Sequence, residues 1–216
     1  MKIFSGTASK NLAQKTADVL KIKLSKLELR IFPDEEKRIR VVEKIIGEEC
    51  IVVQSASTIA DKNYMELFFI ADALKRSGAR AVTAVIPYLG YQRQDHVFRS
   101  GEAVSLEVII KMLEAVGVDR VITFDLHSIK IPELFHIPVV HLSALPLFAE
   151  KIRILGAGPA ARSSKGAPSS LSSSNEDARL WNPRLSSRRT PSSVPPLASP
   201  LAWPSLFCNI FGLMNV

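Results

Sequence analysis

At 216 residues, with 47% hydrophobic and 23% charged side chains, the chain is long enough to bury a real core and has the make-up of an ordinary globular protein. Its formal charge of +7 is unevenly spread: residues 1–153 hold 22 Lys+Arg against 19 Asp+Glu, and residues 154–216 hold six against two, so charge does not indicate a nucleic-acid surface on the main body. Two cysteines (Cys50 and Cys208) give neither metal spacing nor a disulfide framework, the N-terminus "MKIFSGTASK" has no apolar h-region, and no apolar run approaches the ~20 residues of a membrane span, which sets the expectation of a cytoplasmic protein without a membrane partner.

Along the chain, "KIF" opens a first strand, and "GTASKNLAQKTADVL" reads as a turn and a helix with Ser9 at its cap. "KLELRIF" and "KRIRVVE" are extended segments on either side of "PDEE". "CIVVQS" is a short buried strand. "NYMELFFIADALKRSG" is a helix that buries Leu67, Ile70, Ala71 and Leu74 and ends at Gly78. "AVTAVIPY" is the next strand; Leu106, Ile109, Ile110 and Leu113 mark a further helix ending near Gly117; "RVITFDL" is a strand again. Apolar strands separated by helices of this length predict an α/β fold with a parallel sheet covered on both faces, whose ligands gather outside the carboxyl ends of the strands.

Two strand exits are dense in polar residues. The first, "PYLGYQRQDHVFRSGEAVS", offers Arg93 and Gln94 as forked donors for phosphate or a base edge, Asp95 to orient them, and His96, Arg99 and the Gly101 hinge as a segment that closes over an anion. A charged run of this kind is also what a solvated loop looks like. The second is "FDLH", where Asp125 is a natural oxygen ligand for Mg²⁺ and His127 a hydrogen-bond donor to phosphate or a residue satisfied by backbone. A third stretch, "FPDEE", places an aromatic ring before acids, either to meet a base or to make a hairpin turn with Pro33 and Asp34 at the usual positions. "SGTASKN" lacks the spacing of a phosphate-cradling GxxxxGK[ST] loop.

Taken together, "SGTASKNLA", "RIFPDEEKRIRV", "VVQSAS", "NYMELFFIADALKRSGARAVTAVIPYLGYQRQDH" and "VDRVITFDLHS" resemble the amino-terminal part of ribose-phosphate pyrophosphokinase, in the family's order and over about 140 residues. The resemblance implies a parallel-sheet, phosphoribosyltransferase-like N-terminal domain over residues 1–153. It implies transfer of diphosphate from MgATP to the anomeric hydroxyl of ribose 5-phosphate, giving phosphoribosyl pyrophosphate and AMP, in a homo-oligomer with Mg²⁺ as cofactor. On the family's pattern Phe32 stacks near adenine, and Asp34 and Glu36 contact the base from a neighbouring subunit. Glu35 stands in this set where many members carry Gly or Gln. Arg93 and Gln94 hold the ATP, Asp95 to Ala103 form the mobile loop beside it, and His127 is the Mg²⁺-associated residue.

The resemblance stops at Arg153. Residues 154–216 hold eight of the 13 prolines and none of the four histidines, and Arg outnumbers Lys there. The "VDD…TGGT"-like sugar-phosphate loop of the family's second domain is not found in them. This Ser/Pro/Arg-rich tail is expected to be disordered or an out-of-frame translation. The chain is accordingly expected to be inactive alone; the alternative is a non-catalytic nucleotide-binding or regulatory subunit of a pyrophosphokinase assembly.

Overall fold

Short apolar runs become the strands of one sheet, and amphipathic segments between them become its covering helices. The computed structural model describes residues 1–155 of the chain. In chain order these are β1 (Lys2–Ser5), α1 (Lys10–Val19), β2 (Leu27–Ile31), β3 (Lys37–Val41), β4 (Glu49–Val53), α2 (Ala60–Arg76), β5 (Ala81–Ile86), α3 (Ser105–Ala115), β6 (Arg120–Phe124), β7 (Val139–Leu142) and α4 (Leu145–Ile154). Five strands form a sheet in the order β1-β4-β5-β6-β7, every neighbouring pair parallel. β2 and β3 form a separate antiparallel hairpin.

Both faces of the sheet are buried, which is why its strands read as continuous apolar runs rather than alternating ones. Phe4, Val52, Val82, Ala84, Ile86 and Val121 pack with Leu67, Ile70 and Leu74 of α2 and Leu106, Ile110 and Leu113 of α3. The alternate residues Ile3, Ile51, Val53, Val85 and Ile122 pack with Ala13 and Ala17 of α1. Cys50 lies in the first of these cores, and burial pushes its thiol up to about 11, so it behaves as a small apolar residue rather than a nucleophile. Gly78 and Gly117 follow α2 and α3 at φ 87° and 90°, the left-handed stop that a side chain resists.

The structure departs from the sequence reading at three places. Ser9 does occupy the cap position of α1, but its hydroxyl accepts the Ser55 N–H at 2.8 Å and makes no cap hydrogen bond; the tertiary partner replaces the local one. α2 begins at Ala60, a turn ahead of the apolar pattern. α4 was not expected: it buries none of its residues, and Leu145, Phe148 and Ile152 are exposed. The expected disordered or out-of-frame tail lies outside the described residues. Among those described, no helix is long and apolar enough to cross a membrane.

Candidate functional site

Parallel strands end at one edge, so the segments after β1, β4, β5 and β6 are brought side by side. Backbone bonds stitch them together: Gly6 N–H to Val53 O at 3.0 Å, Gln54 N–H to Val85 O at 3.0 Å, and Ala56 N–H to Tyr88 O at 3.0 Å. The approach at Gly6 is close enough that a Cβ there would sit 2.2 Å from the Gln54 side-chain oxygen. A cavity of about 530 Å³ opens at this edge, lined by Thr7, Lys10, Ser55, Ser57 and Pro87 among others.

The segment after β5 has a fixed root and an exposed tip. Gly90 presses on Ala56, where a Cβ would lie 2.8 Å from the carbonyl oxygen, and its own carbonyl accepts the buried Tyr64 hydroxyl at 3.0 Å. Burial holds that phenol protonated, raising its pKa far above the ordinary value. Tyr91 is left-handed at φ 63° and donates its hydroxyl to Asp61, a bond that raises its own pKa. Gln92 is buried, whereas Arg93 and Gln94 are exposed. Among the described residues the Arg93 guanidinium has no partner. Asp95 does not orient it, contrary to expectation: its carboxylate lies 2.6 Å from His96 Nδ1. Beyond this, the His96 and Phe98 rings lie 3.9 Å apart, and Glu102 accepts the N–H groups of Phe98 at 3.1 Å and Arg99 at 2.9 Å before Gly101 (φ 91°) and Ala103 lead into α3.

At the exit of β6 the chain turns on Asp125, at φ 42°. The Asp125 carboxylate is already engaged, accepting Ser143 Oγ and Ala144 N–H, both at 3.1 Å. His127 is exposed, and its N–H donates to Gln92 Oε1 at 2.8 Å. Among the described residues no group of three or more His, Cys, Asp and Glu is arranged to hold a metal ion. This donor set does not fit a resident Mg²⁺.

The "FPDEE" stretch is the tip of the β2–β3 hairpin. Glu35 N–H donates to Phe32 O at 2.9 Å and Phe32 N–H to Glu36 O at 2.9 Å, with Pro33 and Asp34 between, as the turn reading requires. Asp34, Glu35 and Glu36 are exposed, and Phe32 is half-buried with the Arg30 guanidinium 5.2 Å from its ring centre. Glu35 sits at φ 68°, and its carboxylate is paired with Lys62 at 2.8 Å, which lowers its pKa. Glu35 and Glu36 line a cavity of about 920 Å³ with Thr58, Lys62 and Phe69, while Gln94 lines one of about 330 Å³ with His96 and Phe98. The structure therefore joins His127 to the Arg93 segment and leaves Glu35 and Glu36 facing a different cavity.

Two residues that hold this arrangement escape a reading by periodicity. Glu66 is 0% exposed on the inner face of α2, accepts Thr7 N–H at 2.6 Å and Thr7 Oγ1 at 2.9 Å, and pairs with Lys37 of the hairpin. Its signal was a carboxylate four residues before Ile70 on an otherwise apolar stripe. Gln92, which joins two loops 35 residues apart, left no local signal.

A family profile described as the N-terminal domain of ribose phosphate pyrophosphokinase matches residues 1–117. The chain is 47% identical over 153 residues to the ribose-phosphate pyrophosphokinase of Methanothermobacter thermautotrophicus, covering 71% of this chain and 53% of that one. It is 41% identical over 150 residues to ribose-phosphate pyrophosphokinase 1 of Streptococcus pyogenes, covering 69% and 47%. The crystal structure of phosphoribosylpyrophosphate synthetase from Mycobacterium smegmatis superposes with a TM-score of 0.68 at 32% identity, over 70% of this chain and 51% of that one. The chain thus spans about half the length of the curated relatives it matches.

Proposed function

The chain belongs to the ribose-phosphate pyrophosphokinase family through its amino-terminal part, and on that premise we propose that it supplies the ATP-side half of a diphosphoryl-transfer site. In that reaction the anomeric hydroxyl oxygen of ribose 5-phosphate bonds to the β-phosphorus of MgATP. The α–β bridging bond breaks, AMP leaves, and the hydroxyl proton is released. The observation that carries this reading is Arg93: an exposed guanidinium without a partner among the described residues, one residue beyond a buried root, on the same sheet edge as His127. Transfer of a diphosphoryl group is catalysed by positioning and by cationic donors set where charge develops, which is what such a guanidinium offers.

In this reading Arg93 and Gln94 hold the phosphates, and Asp95 fixes the His96 ring beside them. His127 approaches the Mg²⁺ that the nucleotide carries, so the ion arrives as part of the substrate. Phe32, Asp34, Glu35 and Glu36 serve the base in a second subunit's site, a reading supported by Glu35 and Glu36 lining a cavity that Gln94 does not; in this reading the working form is a homo-oligomer. In this reading residues 1–153 bind MgATP, and turnover needs a sugar-phosphate loop of the kind the family's second domain carries. The same separation of hairpin and loop supports the second reading, a nucleotide-binding subunit within an assembly of complete subunits.

Titration of the purified chain with MgATP by calorimetry tests the proposal. Saturable binding that weakens about 10-fold or more in Arg93→Ala is expected, the loss of a charge-assisted contact to phosphate. No saturable binding by the wild type removes the reading altogether. AMP release on adding ribose 5-phosphate contradicts the inactive form of it, and co-purification with a full-length subunit favours the regulatory one.

A further inference from the structure

Three consecutive backbone N–H groups at the β6 exit are each taken by a protein acceptor. Asp125 N–H donates to Leu142 O at 3.0 Å, Leu126 N–H to His141 Nε2 at 3.1 Å, and His127 N–H to Gln92 Oε1 at 2.8 Å. A left-handed residue such as Asp125 (φ 42°) often opens a nest of N–H groups for an anion. Here no N–H of the three is left to give. Anion recognition at this turn falls to side chains, and the turn's position is fixed from outside.

Of the three acceptors, Leu142 and His141 belong to β7, and Gln92 alone belongs to the segment that carries Arg93. Gln92 is 7% exposed. Its neighbour on one side is anchored to α2 through the Tyr91–Asp61 bond, and Gly90 before that is clamped between Ala56 and Tyr64. A buried side chain on so fixed a root transmits that position to whatever it bonds.

We propose that Gln92 is a positioning residue that sets His127 relative to Arg93, so that the exits of β5 and β6 act as one rigid half-site. This rests on the reading of Arg93 and His127 given above. Gln92 touches no substrate; it works by fixing the backbone from which His127 projects. Loss of its acceptor frees the His127 N–H and lets the turn move independently of Arg93, while the turn's attachment to β7 remains.

The test uses the full chain with Gln92→Met, which keeps length and loses the acceptor, and Gln92→Glu, which restores an acceptor oxygen. Amide exchange is followed without ligand, and MgATP affinity is measured in parallel. In Gln92→Met the His127 amide exchanges about 10-fold or more faster. MgATP affinity drops by a similar factor, amides of β4 and β5 exchange as in the wild type, and Gln92→Glu recovers both properties. Unchanged exchange at His127 in Gln92→Met overturns the clamp. Faster exchange with unaltered affinity overturns the positioning role, as does a general rise in exchange across β4 and β5. Failure of the wild type to bind MgATP overturns the nucleotide reading and the positioning role with it, and is told apart from failure of the clamp because exchange at His127 is read without ligand.

Discussion

Lys37 reaches the buried Glu66 carboxylate at 2.6 Å, joining the hairpin to the inner face of α2. The same carboxylate takes both Thr7 donors, so one side chain holds the β1 exit, the helix and the hairpin together. Its desolvation is offset by three donors, and removing the acceptor leaves all three without it.

Glu66→Ala therefore lowers the free energy of unfolding by about 3 kcal/mol, the usual scale for breaking a buried pair from one side. Urea unfolding measures this. The double variant Glu66→Ala, Lys37→Met is expected to be no worse than the single, since it removes an ammonium that has lost its counter-charge and keeps the Lys62 carbonyl at 3.2 Å; strict additivity of two large losses would contradict the pairing.

Glu35 occupies a left-handed position at φ 68°, where a Cβ is a burden, and its side chain gains an exposed pair with Lys62 in return. Glu35→Gly is expected to raise stability by about 0.5–1 kcal/mol, and Glu35→Val to lower it, because a β-branched residue resists this conformation. Midpoints ordered Val, Glu, Gly from lowest to highest are the expected result in thermal unfolding.

Gly90→Ala drives a Cβ to 2.8 Å from Ala56 O and 3.2 Å from the Tyr64 ring. Neither neighbour is the loose end of a flexible chain, so the root of the Arg93 segment must shift. A loss of about 1–3 kcal/mol is expected, with weaker MgATP binding as a second effect. Native stability in this variant would mean that the root yields more easily than its packing indicates.

Glu43 is held below the ordinary glutamate value of 4.5 chiefly by the Lys26 N–H, with burial opposing and Lys2 and Ser25 assisting. Because the folded pKa is the lower one, the stabilisation is present above the unfolded value and is lost as pH falls through the folded one. The difference in unfolding free energy between wild type and Glu43→Gln should be evident at pH 7 and shrink steadily below the ordinary value. A difference independent of pH between 7 and 3 would show that the carboxylate's charge is not involved.

The sheet was legible in the sequence because burial on both faces leaves continuous apolar runs such as "CIVV" and "VITF", and the helix stops were legible because Gly78 and Gly117 take a conformation other residues resist. The hairpin turn could be read from Pro33 and Asp34. What could not be read were contacts made across long separations: Ser9 with Ser55, Thr7 with Glu66, Gln92 with His127. A local cap and a tertiary acceptor need the same hydroxyl, and sequence does not say which is served. α4 was missed for the opposite reason, since it leaves its apolar residues exposed and no burial pattern defines it. At the candidate site, sequence singled out Arg93 and His127, but gave no role to Gln92 of the same polar string, the residue that joins them.

The β2–β3 hairpin shares no ladder with the five-stranded sheet. Its own five register pairs, from Leu27–Val41 to Ile31–Lys37, close a local loop whose formation needs no other strand. Opening it breaks its contacts with α2 and leaves the parallel ladders intact. Its opening free energy is expected to be set by the Lys37 anchor and by the packing of Leu27, Ile39 and Val41 on the core rather than by the sheet ladders. An appendage of this kind can vary in sequence, or be pulled from its seat, while the sheet edge that carries Arg93 stays as it is.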